Sequence, residues 1–233
     1  MEPWQLIVAL IQGLVEWLPI SSEGQVVLFV YSIGTVPYTE LLALAIWLHL
    51  GTTMAVIVRY PRDILDLLVL RDRAVLRQLV IATIATAAVA IPLYLLLRSV
   101  ISATVGESLN VLVGALLVVT GLMLYLSERK ERTKDSQPPE TEPSDRKMLL
   151  AGVVQGFSVL PGLSRSGLTV SALLMQRVDK TAALRLSFLM SVPAVLGIVG
   201  LEALIRLAAR ISFWRLCIVL GMIAVVFGLP ALF

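Results

Sequence analysis

Pro161-Gly162-Leu163-Ser164-Arg165-Ser166-Gly167 breaks an apolar run that extends from Met148 to Met175, and it sets a guanidinium inside the break. A helix needs roughly 20 apolar residues to cross the hydrocarbon core, and each arm left by this break is only about half that long. Irregular backbone at membrane depth survives only where it is buried in protein or lines a wet cavity. The stretch 148–175 therefore reads as a re-entrant helical hairpin. A second broken run, residues 3–33, reads the same way, with its interruption at Pro19-Ile20-Ser21-Ser22-Glu23-Gly24. The two correspond in order: Gln12-Gly13, Leu18-Pro19 and Ser21 to Gly24 stand against Gln155-Gly156, Leu160-Pro161 and Ser164 to Gly167. Paired interruptions in the two halves of a membrane protein point to its binding site.

The rest of the chain agrees. Of its 233 residues 58% are hydrophobic and 15% charged, with a mean hydropathy of +0.91, too apolar for a water-soluble surface. Five runs are long enough to span: Glu40–Val58, Leu76–Leu97, Leu109–Leu126, Leu184–Ile205 and Phe213–Leu232. The expected fold is an all-α polytopic membrane protein with inverted-topology repeats, two re-entrant hairpins and about five or six transmembrane helices. Its parts are a first repeat, 1–126, a polar Pro-rich cytoplasmic linker, 127–147, read as flexible, and a second repeat, 148–233. Tyr60 to Arg73 reads as an amphipathic stretch along the membrane surface. Pro3 to Leu18 lacks the basic flank of a cleavable signal peptide.

The net charge of +3 does not indicate nucleic acid, because the basic residues lie between the apolar runs rather than in one patch. They set orientation instead: fourteen Lys and Arg fall on one side and four on the other, so the rich side is cytoplasmic. The first hairpin then enters from outside and the second from the cytoplasm, with their tips meeting near the midplane of the plasma membrane. Cys217 is the only cysteine, which excludes an intrachain disulfide.

Four groups of residues can carry chemistry. Gln12 and Glu16 share one helical face, and a carboxylate there is expensive unless it serves a polar cavity. Arg165 is the one Lys or Arg at membrane depth; a planar guanidinium clasps phosphate oxygens, and the same side chain could instead pin the hairpins through an ion pair with Glu16. Ser21 and Ser22 supply hydroxyls beside Glu23, either as helix caps or as a nucleophile with Glu16 or Glu23 as base. His49, the lone histidine, reads equally as a packed imidazole or as a functional group.

Together these motifs resemble the undecaprenyl pyrophosphate phosphatase family of bacitracin-resistance membrane phosphatases. The carrying residues are Gln12-Gly-Leu-Val-Glu16-Trp-Leu-Pro19-Ile-Ser21-Ser22, Pro161-Gly-Leu-Ser164-Arg165-Ser166-Gly167-Leu-Thr169 and Leu186-Ser-Phe-Leu-Met-Ser-Val-Pro193-Ala-Val-Leu-Gly197. The resemblance implies an interdigitated inverted-repeat fold, an outward-facing active site, and hydrolysis of a polyprenyl diphosphate to the monophosphate for recycling of the lipid carrier. It implies that Arg165 grips the diphosphate with Ser164, Ser166, Gly167 and Thr169, supported by Gln12, Ser21 and Gln25. Ser22 is then the nucleophile, and Glu16 the base or a contact to a divalent cation, magnesium or calcium.

Two features depart from the family pattern. Gln25 stands where a histidine is usual, so that either Glu23 has taken over proton transfer or hydrolysis is weakened. The second half also offers one span fewer than the first, leaving closure of the repeat open, with a homodimer as one way to complete it. The rival expectation is a transporter that moves a polyprenyl phosphate headgroup across the membrane.

Overall fold

The computed structural model describes residues 3–16, 18, 20–22, 24–26, 29, 38–101, 107–132 and 139–210, with backbone alone at 3, 38–46, 98–101, 107–110, 131–132, 202 and 204–210. Every regular element among them is a helix: α1 Pro3–Val15, α2 Tyr38–Arg59, α3 Pro61–Leu68, α4 Arg73–Ile101, α5 Glu107–Arg132, α6 Asp145–Gly156, α7 Arg165–Met175 and α8 Lys180–Arg210. A single 3-10 turn, Phe157–Val159, continues α6. The chain divides into one compact unit through Leu196 and another from Gly197 onward, and the site described below lies wholly in the first.

Three described stretches are long and apolar enough to cross a membrane: Arg73–Leu97, Val111–Lys130 and Lys180–Leu201. They match three of the five expected spans. The 22 residues of α2 enclose a fourth, Glu40–Val58, and the fifth, 213–232, lies outside the described residues. Leu95, Leu96, Val118 and Leu122 are exposed on α4 and α5, as side chains that face lipid must be.

Lipid tails are as apolar as leucine, so helices in a membrane associate through close packing and interhelical hydrogen bonds. Both operate where α6 meets α4. A Cβ on Gly152 would lie 2.3 Å from Ala82 O, and one on Gly156 would lie 2.5 Å from Val89 Cβ. Only glycine admits so close an approach. The approach in turn lets Thr86 Oγ1 sit 3.0 Å from Gly152 O and lets Gln155 Nε2 donate to Thr86 Oγ1 at 3.2 Å. Around this contact Leu79, Ala82, Met148, Ala151, Leu173, Leu189 and Met190 close a buried core drawn from α4, α6, α7 and α8. The second broken stretch thus packs among the spans of the first half.

Pro61 opens α3 at a position where the missing N–H costs nothing. As expected of an amphipathic stretch, Ile64 and Leu67 pack on the core while Leu65 and Leu68 are exposed. Asp63 ties the helix to α8 through an ion pair with Arg185.

The polar segment 127–147 departs from its expected flexibility at both ends. Ser127–Arg132 continues α5 as regular helix. Beyond it, Glu140 pairs with the turn after α7: Glu140 N donates to Arg177 O at 3.0 Å and Asp179 N to Glu140 O at 2.8 Å. Gln78 Nε2 donates to Pro143 O at 2.6 Å. Backbone pairing therefore anchors a stretch whose composition alone favours disorder.

Candidate functional site at the two interrupted helices

Helix α1 ends at Val15, and its last turn closes through Glu16 N donating to Gln12 O at 3.0 Å. Spaced one turn apart on one face, the two side chains meet: Gln12 Nε2 donates to Glu16 Oε2 at 2.8 Å. Glu16 is 7% and Gln12 1% exposed, so this carboxylate is held away from bulk solvent.

The chain then bends at Ser21, which adopts φ 56. The left-handed conformation costs an ordinary residue about 1–2 kcal/mol and persists where surrounding contacts over-determine it. Its contacts here are local: Gly24 N donates to Ser21 Oγ at 3.3 Å and Gln25 N to Ser21 O at 3.1 Å. The bend starts a new helical turn and turns Ser22 back toward Glu16. Ser22 Oγ donates to Glu16 Oε2 at 2.5 Å.

The second interruption approaches from the other side. Gly162, at φ +105, passes so close to α5 that a Cβ would lie 2.6 Å from Val113 O. Ser164 caps α7, its Oγ accepting from Gly167 N at 3.1 Å. Arg165 is consequently the first residue of α7, and its guanidinium Nη2 donates to Glu16 Oε1. Ser166 Oγ donates to Leu18 O at 3.3 Å, and a Cβ on Gly24 would lie 3.4 Å from Gly162 Cα. The two tips are in contact, 149 residues apart in sequence at the Glu16–Arg165 pair.

A buried charge is costly unless paired and hydrogen-bonded, and Glu16 satisfies both demands. Its Oε1 meets Arg165, and its Oε2 collects Ser22, Gln12 and the imidazole of His49, whose Nε2 lies 3.3 Å away. Gln12 Nε2 also lies 3.4 Å from His49 Nδ1 and 3.2 Å from His49 Nε2. The histidine whose role the sequence left open thus belongs to the cluster.

The structure brings together Gln12, Glu16, Ser22, Ser166 and Arg165, with Ser21 and Ser164 shaping the backbone on either side. It does not bring in Thr169. Its hydroxyl is wholly buried one turn into α7, 2.8 Å from Arg165 O and 3.3 Å from Gln155 Oε1. Gly167 acts through the N–H that Ser164 caps. Half-buried Gln25 lies on the turn after Ser22, and its side chain is not among the described groups that touch Glu16. Glu23 lies outside the described residues.

Sequence reasoning missed Thr120. Its Oγ1 sits 3.2 Å from Gly162 O and accepts from Ser164 N at 3.2 Å, tying the second tip to α5. A threonine inside an apolar span was the available signal, but most such hydroxyls bond within their own helix, as Thr83 does to Leu79 O at 2.7 Å.

A family model described as bacitracin resistance protein BacA matches residues 5–232. The chain belongs to this family. Membership and the three spanning helices together make it a multi-pass membrane protein. It is 44% identical over 200 residues to an undecaprenyl-diphosphatase of Methanothrix thermoacetophila, covering 85% of this chain and 74% of that one. It is 34% identical over 268 residues to an undecaprenyl-diphosphatase of Methanopyrus kandleri, covering 99% and 97%. A third relative of the same name, from Haloarcula marismortui, is 34% identical over 270 residues, covering 96% of each chain. Both interrupted helices of the BacA-family chain therefore fall inside the matched region, the Glu16 and Arg165 tips included.

Proposed function

We propose that this chain is a membrane hydrolase that removes the terminal phosphate from a polyprenyl diphosphate of the undecaprenyl type, leaving the monophosphate for reuse as a lipid carrier. The observation that carries this reading is the set Ser22–Glu16–Arg165, in which a hydroxyl, its base and an anion clamp meet from two distant motifs. The printed names of the relatives agree with it.

A serine becomes a nucleophile when a base stands within hydrogen-bond reach. Ser22 Oγ already donates to Glu16 Oε2, so the proton has a destination. Arg165 receives the diphosphate oxygens through its planar fork. As Ser22 Oγ forms its bond to the terminal phosphorus, the bond from that phosphorus to the bridging oxygen breaks and polyprenyl monophosphate leaves. Glu16 passes its proton to the departing monophosphate; water then attacks the phosphoserine as Glu16 accepts its proton, the Oγ–phosphorus bond breaks, Glu16 returns that proton to Oγ, and inorganic phosphate departs with Ser22 restored. Arg165 stabilises the charge that accumulates on the equatorial oxygens in both steps.

The residues present fit a divalent cation of the magnesium or calcium type. Hard cations take oxygen ligands, and magnesium is commonly held by one or two carboxylates plus substrate phosphates. Glu16 offers the carboxylate, and Gln12 Oε1 is a buried acceptor with no partner among the described residues. These two groups would hold the ion, which when bound would shield the diphosphate charge.

The two interruptions are re-entrant hairpins in this reading. What supports it is that the second interruption is buried from Pro161 to Ser164 and that the two tips meet each other's polar groups, Arg165 against Glu16 and Ser166 Oγ against Leu18 O. The site opens to the outer face of the plasma membrane, following the distribution of Lys and Arg.

The test is phosphate release from a long-chain polyprenyl diphosphate by detergent-purified protein, beside Ser22→Ala and Arg165→Ala. Release by the wild type and its loss in both variants is expected. Binding of the lipid without release would refute hydrolysis and leave a transporter of the headgroup.

A further inference from the structure

We propose that His49 is a positioning residue of this site, donating from Nε2 to hold the Glu16 carboxylate in the rotation that serves Ser22. The inference rests on the reading of Glu16 as the base for Ser22.

Glu16 is pulled two ways. Arg165 draws on Oε1 through a charge-assisted contact. Left alone with Arg165, a carboxylate on three rotatable side-chain bonds would turn to offer both oxygens to the guanidinium, because the bidentate fork is the preferred geometry. Ser22 would then lose its acceptor. What opposes this rotation is the pair of donors on Oε2 other than Ser22: Gln12 Nε2 at 2.8 Å and His49 Nε2 at 3.3 Å.

These two donors brace each other from separate helices. Gln12 stands on α1 and His49 on α2, and the two helices pack together. One amide hydrogen of Gln12 faces Glu16, and the amide nitrogen lies 3.4 Å from His49 Nδ1 and 3.2 Å from His49 Nε2. With Nδ1 as acceptor and Nε2–H as donor, the neutral imidazole completes a ring of three side chains: Gln12 to His49, His49 to Glu16, and Gln12 to Glu16. This is the tautomer in which Nε2 donates to Glu16 Oε2, 3.3 Å away. The His49 side chain is 13% exposed and Glu16 6%, so water competes weakly for either bond. The polar setting extends along α2, where Thr52 Oγ1 donates to His49 O at 3.0 Å.

The chemistry also explains why a donor is wanted here rather than a second base. Ser22 must give its proton to Oε2, and a neutral N–H on the other side of that oxygen fixes its direction without taking the proton first.

Two measurements test the assignment. In the first, phosphate release is followed in His49→Gln, which keeps an N–H near the position of Nε2, and in His49→Leu, which removes it. The expected result is a kcat for H49L at least about tenfold below wild type with KM within about twofold, and recovery to within about threefold of wild type in H49Q. Wild-type kcat in H49L would overturn the proposal. Equal losses in both variants would overturn it too, because they would require the imidazole itself rather than a donor.

The second measurement does not depend on turnover. His49 is the only histidine, so protein labelled with 15N-histidine gives the ring signals of one residue. The Nε2–H resonance of the wild type is expected to shift in Glu16→Gln, and an unmoved signal in a monodisperse, folded E16Q sample would overturn the contact. A wild type that releases no phosphate would overturn the phosphatase reading, and the 15N response would show separately whether His49 touches Glu16.

Discussion

Replacing Glu16 with glutamine should slow the reaction and strengthen binding at the same time. The substitution keeps the shape of the side chain and removes its charge and basicity. Ser22 Oγ, 2.5 Å from Oε2, would lose the group that accepts its proton. General-base assistance is worth about 10² to 10⁴ in rate, so kcat should fall about 10³-fold, or about 4 kcal/mol on the barrier. Binding moves the other way because Glu16 occupies the anion position of Arg165. A diphosphate must displace that carboxylate. A hydrogen bond to a charged group contributes about 1.5–3 kcal/mol, and an amide oxygen in its place retains roughly half of this. About 1.4 kcal/mol of competition is relieved, and affinity for the diphosphate should rise about tenfold. The assay pairs kcat from phosphate release with the Kd of a polyprenyl methylenediphosphonate, which cannot be cleaved. Weaker binding in E16Q would refute the displacement argument, and a kcat within tenfold of wild type would refute the assignment of the base.

Three further outcomes follow from the packing. Thr120→Val keeps the volume but leaves Gly162 O and Ser164 N without their shared partner; each unmet buried group costs about 1–3 kcal/mol, so thermal melting in detergent should drop and phosphate release should fall at least about tenfold. Gly152→Leu forces side-chain atoms into Ala82 O, 2.3 Å from where a Cβ would stand, and overpacking of this kind costs about 1–3 kcal/mol or more, to be read as a lowered melting temperature. Asp63→Asn breaks the ion pair with Arg185, whose partners are 21% and 44% exposed; its effect should stay within about 1 kcal/mol, with kcat unchanged.

Glu16 and Arg165 were legible in the sequence because charge inside an apolar run is expensive, and expense demands a reason. Their pairing was legible as one of two roles, and the structure shows the ion pair itself. His49 could not be assigned, because spacing within a helix says nothing about a partner 37 residues away. Thr120 was hidden by its resemblance to Thr83 and Thr86, which also bond to carbonyls one turn back. Thr169 misled in the opposite sense. It sits four residues after Arg165 and so shares its stripe, but α7 is buried on nearly all sides and that stripe turns toward Gln155. Composition likewise called the 127–147 segment flexible, whereas pairing of Glu140 with the turn after α7 depends on backbone groups that every residue carries.

The two interruptions share a pattern but not a task, and their glutamines show the difference. Gln155 is satisfied at both ends by neutral hydroxyls, donating to Thr86 and lying 3.3 Å from Thr169. It locks α6 against α4 and α7 and has nothing left to offer a ligand. Gln12, at the corresponding place, spends its amide hydrogens on Glu16 and His49 and keeps Oε1 buried without a partner among the described residues. An unmet buried acceptor costs about 1–3 kcal/mol, which a purely structural glutamine could avoid, as Gln155 does. In the proposed mechanism the first tip therefore carries the base, the nucleophile and the unmet acceptor, while the second carries the guanidinium and is anchored through Thr120 and Gln155. Opposite charges hold the tips together. In that mechanism Arg165 is fixed to the anchored tip, so the group that yields to an arriving diphosphate is the carboxylate, whose Oε1 parts from Arg165 while Oε2 stays held toward Ser22 by Gln12 and His49.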